Sequence, residues 1–448
     1  MKRSVGELFK KLWASPTGLI FIAHGLRMAG GVLVLPLALR LIPKQEMGLY
    51  YTFLAVSGLV NLLDFGFAPA VSRNAGYAMG GAEKLTSHGI PPLGIGGVNL
   101  NLLGELTTSV EIYYRWASAV LAILLFSGGS YYIYTRIVAE SLSESLMGAW
   151  LLFSCGQAGL FYASSWSNLL IGSGQLRAFA IITIWSQLLS VFTLCVLLGL
   201  KSSIWAYGIS GVFTSCINLW LYRRFFLKLV NPRLPQKNFS KAFNGVKTLW
   251  PMAWRQGVVM LGAFMIQRTT TLICSLKVGL DETAEYGLTV YLITVIFQIA
   301  SIPVSIVMPE IVRLRIVGDR HKIWTLFLPR LYLGLFVGLI LVLILAFGGN
   351  LILEVISAKT GTVAQSLVLL LGAIWLLEMH HSQYANLILT ENQNPFILPS
   401  LISGVAIVAL AWFGAERWGV LGLILAQGLV QLLWNNWWTV YRAVKGVR

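Results

Sequence analysis

Residues 331–347 read LYLGLFVGLILVLILAF, and they complete an apolar run that extends over 324–347. A helix that crosses a bilayer needs about 20 mostly apolar residues, because it must span the whole hydrocarbon core. The stretch therefore predicts a membrane-spanning helix. Runs of the same kind recur along the chain, so this one stretch indicates the class of the whole protein.

The apolar runs together predict about twelve membrane spans. Each run is bounded by polar connectors, and an even number of spans places both chain ends on one side of the membrane. The predicted spans lie near 17–42, 48–72, 113–134, 147–171, 178–200, 203–222, 248–275, 284–309, 324–347, 361–389, 396–414 and 419–441.

The composition supports this interpretation. Of the 448 residues, 57% are hydrophobic and only 11% are charged, whereas soluble domains carry about 25% charged residues. A soluble globular protein, a disordered chain and a disulfide scaffold are therefore excluded. We predict an all-α, polytopic membrane protein with two six-helix lobes around a central cavity. The four cysteines lie in apolar runs without a C-x-x-C pair, which predicts buried small side chains rather than metal or redox groups.

The distribution of basic residues predicts the orientation. The formal net charge is +16, and most lysines and arginines of the predicted connectors fall on the side of the N-terminus. Cytoplasmic loops carry this excess of positive charge, so both termini are predicted to be cytoplasmic. A nucleic-acid partner is not expected, because the chain has no basic soluble module. The basic connector 223–247 could also contact anionic membrane lipids.

The two halves of the chain resemble each other. Pro69-Ala70-Val71-Ser72-Arg73 ends one predicted span, and the similar Pro309-Glu310-Ile311-Val312-Arg313 ends another. We predict an N-terminal lobe at 1–230, a basic cytoplasmic linker at 231–247 and a C-terminal lobe at 248–448. Parallel repeats of this kind leave a cavity between them, and rocking of the two bundles gives alternating access.

The first half contains an extra segment, the Gly/Pro-rich loop 76–104. Its Gly80-Gly81 and Pro91-Pro92 pairs predict a flexible cytoplasmic loop, with a gate or a docking site as the alternative. It is not predicted to bind phosphate, because no Gly-Lys-Ser/Thr follows its glycines.

Four basic residues inside predicted spans are candidates for an anion site. His24 and Arg27 are in the first span, and Arg255 and Arg268 are in the seventh. A charge in hydrocarbon costs about 2.5–3.5 kcal/mol, so such side chains usually face a cavity or a partner. Arginine holds phosphate by paired, charge-assisted hydrogen bonds. We therefore predict that these residues bind an anion between the halves. The alternative is structural pairing, for example of Arg27 with Asp64.

Three acidic or titratable residues inside spans are candidates for ion coupling. Glu378 and His381 lie three positions apart on one helical face and could exchange a proton, or form a static hydrogen-bonded pair. Asp64 is an alternative cation or proton site. Arg73, Arg115 and Arg330 lie near cytoplasmic span ends, and could line an entrance. For Arg115 and Arg330 the alternative is that the side chain only extends its charged end to the membrane surface.

No catalytic constellation is found in the sequence, which contains neither H-E-x-x-H nor G-x-S-x-G. Acids and bases are few and scattered. We therefore predict no enzyme activity, no cofactor and no metal. A membrane-embedded polysaccharide polymerase or acyltransferase stays as an alternative, although it would need a long periplasmic loop with catalytic residues.

Several short motifs suggest a family. They are Glu46-Met47-Gly48-Leu49-Tyr50, Leu63-Asp64-Phe65-Gly66-Phe67 with Arg73, Asn168 with Gly172-Ser173-Gly174-Gln175, and Pro309 with Arg313 and Gly318-Asp319. Together they resemble polysaccharide transporters of the multidrug/oligosaccharidyl-lipid/polysaccharide exporter superfamily, specifically the Wzx-type O-antigen flippases. The resemblance covers most of the chain.

This resemblance implies a function in O-antigen, capsule or lipopolysaccharide biosynthesis at the bacterial inner membrane. The expected substrate is an undecaprenyl-pyrophosphate-linked oligosaccharide, moved to the periplasmic leaflet through a cationic cavity that Arg27, Arg255 and Arg268 would line. Membrane lipids, protons or sodium ions, a polysaccharide polymerase and a chain-length regulator are the implied partners. A cation-coupled small-molecule or drug exporter of the same superfamily is the alternative.

Overall fold

The computed structural model describes residues 15–447 except 88, 90, 93, 95, 96, 231–238, 392 and 393. Every regular element in the described residues is a helix. The predicted all-α class is therefore confirmed. Residues 231–238 of the predicted linker lie outside the described residues, and 239–247 form the first turns of a long helix.

In the first part of the chain, one predicted span can contain more than one helix. A π-helical segment, Leu125–Gly129, joins two of them. In chain order they are α1 (Pro16–Leu41), α2 (Lys44–Ser57), α3 (Leu59–Asp64), α4 (Phe67–Met79), α5 (Leu100–Leu124), α6 (Ser130–Ala139), α7 (Leu146–Gly172), α8 (Leu176–Gly199) and α9 (Trp205–Val230).

The later helices include the two longest ones. A second π-helical segment, Gln431–Asn435, interrupts the last helical run. In chain order they are α10 (Phe239–Gln267), α11 (Thr269–Lys277), α12 (Leu280–Val317), α13 (Arg320–Val355), α14 (Gln365–Leu389), α15 (Ile397–Trp418), α16 (Val420–Val430) and α17 (Asn436–Val447).

Nine helical segments of the described residues are long and apolar enough to cross a membrane. Each of the predicted spans coincides with a helix or a run of helices, but those formed by α9, by α14 and by the last run are not among the nine. The chain is a multi-pass membrane protein. The nine segments are Gly18–Leu41, Lys44–Asp64, Leu100–Ala139, Leu146–Gly172, Leu176–Gly199, Ala253–Lys277, Leu280–Val317, Arg320–Val355 and Ile397–Trp418.

The chain forms two compact units. Unit 1 contains the residues up to Ala38 together with Val56–Met260, and unit 2 contains Leu39–Ala55 together with the residues from Leu261 onward. This division differs from the predicted lobes, because the end of α1 and most of α2 group with the second half. Within unit 2, Lys44 Nζ lies 2.7 Å from Glu285 Oε1 at the start of α12.

Glycines allow helices to approach closely inside unit 1. A Cβ on Gly156 of α7 would lie 2.7 Å from the carbonyl carbon of Gly211 in α9, and one on Gly208 would lie 2.9 Å from the Ala149 carbonyl oxygen. Small residues at such contacts let helices in membranes gain dispersion energy by close backbone packing. The α7–α9 pair is therefore the rigid centre of this unit.

The segment between α4 and α5 is shorter than the sequence predicts. Its described residues form hydrogen-bonded turns: the Asn74 side chain pairs with the backbone N–H and carbonyl of Thr86 at 3.0 Å each. Asn99 donates to the Ala82 carbonyl at 2.9 Å and caps α5 by accepting from the Leu102 N–H. Glycine and proline content alone predicts flexibility, but these two asparagines hold the turns.

The predicted burial of all four cysteines is wrong. Cys274 is buried, Cys195 is partly buried, and Cys155 and Cys216 are not covered by protein. Apolar runs in a membrane protein can face lipid as well as protein, so hydropathy does not distinguish the two environments.

Candidate functional site

The second predicted span is broken at Phe65 and Gly66. Helix α3 ends at Asp64 and α4 begins at Phe67, and the two residues between them have φ values of 45° and 71°. A left-handed conformation is unusual for a bulky residue such as Phe65. Irregular backbone within a membrane is tolerated where it is buried in protein or lines a cavity, and broken helices often form binding sites.

Helix α10 packs against this break within unit 1. A Cβ on Gly66 would lie 2.5 Å from Gln256 Cβ, and one on Gly257 would overlap the ring of Phe65. The rings of Phe65 and Trp250 lie 5.8 Å apart. Both glycines therefore make room for a contact that fixes the backbone beside Asp64.

The carboxylate of Asp64 is held in place by two donors. The Tyr114 hydroxyl donates to Oδ1 at 2.5 Å, and the Ala68 N–H in the first turn of α4 donates to Oδ2 at 3.3 Å. Negative charge is favoured at the N-terminal end of a helix. Asn168 Nδ2 in turn donates to the Tyr114 hydroxyl at 3.3 Å. An Asn168–Tyr114–Asp64 chain thus orients the acid.

Beside this chain lies a cavity of about 360 Å³, which we call the Asp64 cavity. It is much larger than one water molecule, whose share of liquid volume is about 30 Å³. Its lining combines four polar side chains with apolar ones. The residues are Val60, Asn61, Asp64, Ala68, Leu160, Phe161, Ser164, Asn168 and Met260.

A second acidic site lies in unit 2 around Glu378 of α14. Gln431 Nε2 donates to Glu378 Oε2, and Ser382 Oγ donates to Oε1 at 3.4 Å. His381 Nδ1 lies 3.6 Å from Oε2. The structure thus brings Glu378 and His381 together, as their spacing on one helical face predicts.

The π-helical segment shapes this second site. Gln431 is the first residue of this segment. At its other end, Ser403 Oγ donates to Asn435 Oδ1 at 2.5 Å. His380 Nδ1 lies 2.7 Å from Oδ1 of the next residue, Asn436. Single-turn π segments within helices often occur at functional sites, because the wider turn redirects side chains. Gln431, Asn435 and Asn436 thus make three polar contacts to α14 and α15.

The cavity at this site is small, about 20 Å³, and we call it the Glu378 cavity. A space of about 10–15 Å³ on this measure holds one water molecule. It can therefore hold a water or an ion of similar size. Within the described residues no group of three or more His, Cys, Asp or Glu could hold a metal ion. The lining residues are Ile266, Gln267, Ile374, Trp375, Glu378, Ile407, Gln427 and Gln431.

The arginines of the predicted anion site have no acidic partners. Within the described part of the chain, no carboxylate forms an ion pair with Arg27, Arg255 or Arg268. All three residues are exposed, which means that other parts of the protein do not cover them. The alternative pairing of Arg27 with Asp64 does not occur, because Asp64 is bound by Tyr114 instead.

The surroundings of these basic residues differ. Arg27 and Arg255 belong to unit 1 and Arg268 to unit 2. Arg27 shares its helical face with the exposed His24, and the Arg255 guanidinium lies 5.9 Å from the centre of the Trp254 ring. Arg255 lies within α10, whereas Arg268 lies at the junction of α10 and α11. Arg255 and Arg268 therefore do not lie on one uninterrupted helix.

The predicted entrance residues lie apart from both cavities. Arg115 is exposed, and Arg330 donates to the carbonyl of Leu326 in its own helix at 3.2 Å. Arg73 is partly buried on α4. None of the three lines the Asp64 or the Glu378 cavity.

Sequence reasoning missed the uncharged polar residues of both sites. Tyr114 and Asn61 gave no signal in the sequence, because neither carries a charge. Asn168 was named only as part of a motif that resembles the transporter family, and Ser164 was not singled out. Polar side chains inside apolar runs were therefore the available signal, and they also mark Gln431 at the second site.

No known protein family and no curated protein matches the sequence, but solved structures share its fold. An inward-facing multidrug resistance MATE family transporter of the MOP superfamily matches with a TM-score of 0.63 and 11% identity, over 94% of each chain. The lipid II flippase MurJ, in an inward closed conformation, matches with a TM-score of 0.67 and 11% identity, over 95% of this chain and 87% of that one. The MATE multidrug transporter DinF-BH, in complex with R6G, matches with a TM-score of 0.59 and 17% identity, over 97% and 95%.

These similarities establish a fold. The chain has the fold of the MATE and MurJ transporters over nearly its whole length. The similar structures are transporters and a flippase rather than enzymes, and they differ among themselves in what they move.

Proposed function

We propose that the chain is a lipid-linked oligosaccharide flippase of the bacterial inner membrane, with both termini in the cytoplasm. Its substrate would be an undecaprenyl-pyrophosphate-linked repeat unit of an O-antigen or a capsule. The fold shared with a lipid II flippase supports this proposal, and so do the motifs that resemble the Wzx-type transporters. A polysaccharide polymerase and a chain-length regulator are the proposed partners.

The observation that carries the proposal is the set of arginines without acidic partners. A pyrophosphate with polar sugars cannot cross hydrocarbon unaided, because burying charge without compensation is very costly. The polyprenyl tail can stay in lipid while the head group passes along guanidinium groups. Arg27, Arg255 and Arg268 have no described carboxylate beside them, so their charge is available to a phosphate.

Energy coupling is assigned to Glu378 and His381. The Glu378 cavity has room for about one water molecule, which suits a proton or a sodium ion better than an organic substrate. Loading this site would bias the two bundles between inward-open and outward-open states, in the way that a ligand shifts a conformational equilibrium by its differential affinity.

Complementation tests the anion site. Arg27→Ala and Arg268→Ala, each introduced into a strain that lacks the chromosomal gene, should abolish surface polysaccharide while the protein stays in the membrane. Arg417→Ala, at the exposed end of α15, is the matched control and should complement. Full complementation by both Arg27→Ala and Arg268→Ala would refute the anion site.

A cation-coupled drug exporter is the second candidate. The Asp64 cavity favours it in one respect, since a single carboxylate beside the Phe161 ring would attract an organic cation. Two of the similar structures are multidrug transporters. A deletion strain that becomes sensitive to cationic dyes and keeps normal surface polysaccharide would support this candidate instead of the flippase.

A further inference from the structure

We propose that the Asp64 cavity binds one monosaccharide unit of the transported oligosaccharide, through the hydroxyl groups of the sugar. The proposal rests on the proposed flippase function and assigns a sugar site to it. It also gives Asp64 a role in substrate recognition rather than in ion coupling.

The size of the cavity is the first argument. Its volume is about 360 Å³, within the range of about 300–1,000 Å³ that small-molecule pockets occupy. A proton needs no cavity of this kind, and on this measure a space of about 10–15 Å³ already holds one water molecule. The Glu378 cavity, at about 20 Å³, has the size that an ion requires.

The polar lining suits hydroxyl groups. A carboxylate has about four lone-pair sites, and a carboxamide both donates and accepts. Asp64 uses its oxygens for Tyr114 and the Ala68 N–H, which leaves further acceptor capacity. The Ser164 hydroxyl donates to the Phe161 carbonyl of its own helix at 2.6 Å, so its oxygen can still accept. Asn61 adds a carboxamide.

The apolar lining suits the C–H face of a sugar ring. Phe161 is nearly fully buried, with its ring 5.2 Å from that of Tyr114, so it lies behind the apolar surface and supports it. Leu160, Val60 and Met260 add aliphatic surface. Ligand pockets typically combine such surface with a few polar groups that fix orientation.

The charge of the lining argues against the phosphate part of the substrate. The lining contains one carboxylate and no lysine or arginine, and a carboxylate repels a pyrophosphate. The arginines outside this cavity would hold the pyrophosphate while the cavity holds a sugar. The substrate would thus be recognised at two places with opposite chemistry.

The backbone beside the cavity is preorganised. The break at Phe65–Gly66 is fixed by Gln256 and Gly257, and the Asn168–Tyr114 pair orients Asp64. A binding group that is already held in place loses less conformational entropy when a ligand arrives. A broken membrane helix with an anchored acid is therefore a reasonable site for a polar ligand.

Thiol protection tests the proposal. The full chain without its four native cysteines, and with Ser164→Cys, is reconstituted in lipid nanodiscs, and its alkylation rate by N-ethylmaleimide is measured. The matched control carries Ser143→Cys instead, in the exposed connector that precedes the same helix. The probes are lipid-linked oligosaccharide extracted from the strain that carries the gene, undecaprenyl pyrophosphate without sugars, and sodium chloride against choline chloride.

The expected result is protection by the sugar-bearing lipid alone. Alkylation at the substituted position should slow by the factor 1 + [L]/Kd, about tenfold at a concentration near ten times Kd. Undecaprenyl pyrophosphate and sodium should leave the rate unchanged, and the Ser143→Cys thiol should react equally under all conditions.

Four outcomes would overturn the proposal. Protection by sodium but not by choline would make the cavity a cation site, and protection by undecaprenyl pyrophosphate alone would make it part of the lipid path. Retention of the extracted lipid on the nanodiscs without protection would place the sugar elsewhere. If the extract is not retained at all, the flippase function itself fails, and the sugar site fails with it.

Discussion

The two units each contain a cavity with a partly buried acid, and the two cavities differ in almost every other respect. The Asp64 cavity has a volume of about 360 Å³ and is lined by two asparagines and a serine. The Glu378 cavity has a volume of about 20 Å³ and lies beside a π-helical segment whose Gln431 donates to the acid. The presence of a carboxyl group therefore does not by itself indicate what each cavity binds. The volume around that group distinguishes a cavity of substrate size from one of ion size.

The comparison predicts its largest effect for Ser164→Trp. An indole at this position should fill much of the Asp64 cavity and abolish polysaccharide export, whereas Cys155→Trp on the exposed side of the same helix should have no effect. Surface polysaccharide and the amount of protein in the membrane are measured together. Normal export with Ser164→Trp at normal protein levels would mean that the cavity is not used.

A smaller effect is expected for Glu378→Gln. The amide keeps the shape of the side chain and can still bond to Gln431, but it cannot carry a negative charge. Transport in proteoliposomes should lose its response to an imposed proton or sodium gradient, while the lipid-linked oligosaccharide still binds. Glu416→Gln, at the exposed end of α15, is the control. A retained gradient response would move ion coupling away from Glu378.

Gly66→Ala tests the break that shapes the larger cavity. A left-handed alanine costs about 1–2 kcal/mol, and overlap of the new Cβ with Gln256 Cβ adds about 1–3 kcal/mol of overpacking. The thermal midpoint of the purified protein should fall clearly. Gly25→Ala, where a Cβ meets no atom within 4 Å, should leave it unchanged. Equal midpoints for both variants would show that the break is not rigid.

The smallest effect is expected for Tyr114→Phe. This change removes the donor to Asp64 Oδ1, and a hydrogen bond to a charged group contributes about 1.5–3 kcal/mol. Protection of the Ser164→Cys thiol by the lipid-linked oligosaccharide should weaken without being lost. Tyr131→Phe, on an exposed tyrosine of α6, provides the comparison. Unchanged protection would indicate that the orientation of Asp64 is not important for binding.

The sequence predicted the class of the fold and several of its landmarks. Apolar runs identified the helices because the cost of exposing charge to lipid acts on each segment separately. The i, i+3 spacing also predicted that Glu378 and His381 meet. Asp64 was singled out as well, since a carboxylate within an apolar run is conspicuous.

The sequence did not predict what surrounds these acids. The break at Phe65–Gly66 depends on the contact with Gln256 and Gly257, which are far away in the chain. The π-helical segment begins at Gln431, and no local propensity marks it. Hydropathy shows which segments enter the membrane, but it does not show which helix faces contact each other. Cavities form between contacting helices, so hydropathy does not predict them.

The measurement that decides the central hypothesis is flipping by the purified protein in proteoliposomes. Lipid-linked oligosaccharide is placed in both leaflets, and its accessibility to a membrane-impermeant sugar oxidant is followed with time. Wild type and Arg417→Ala should expose the inner pool, whereas Arg27→Ala and Arg268→Ala should not. Equal exposure by all four proteins would contradict a pyrophosphate path along these arginines.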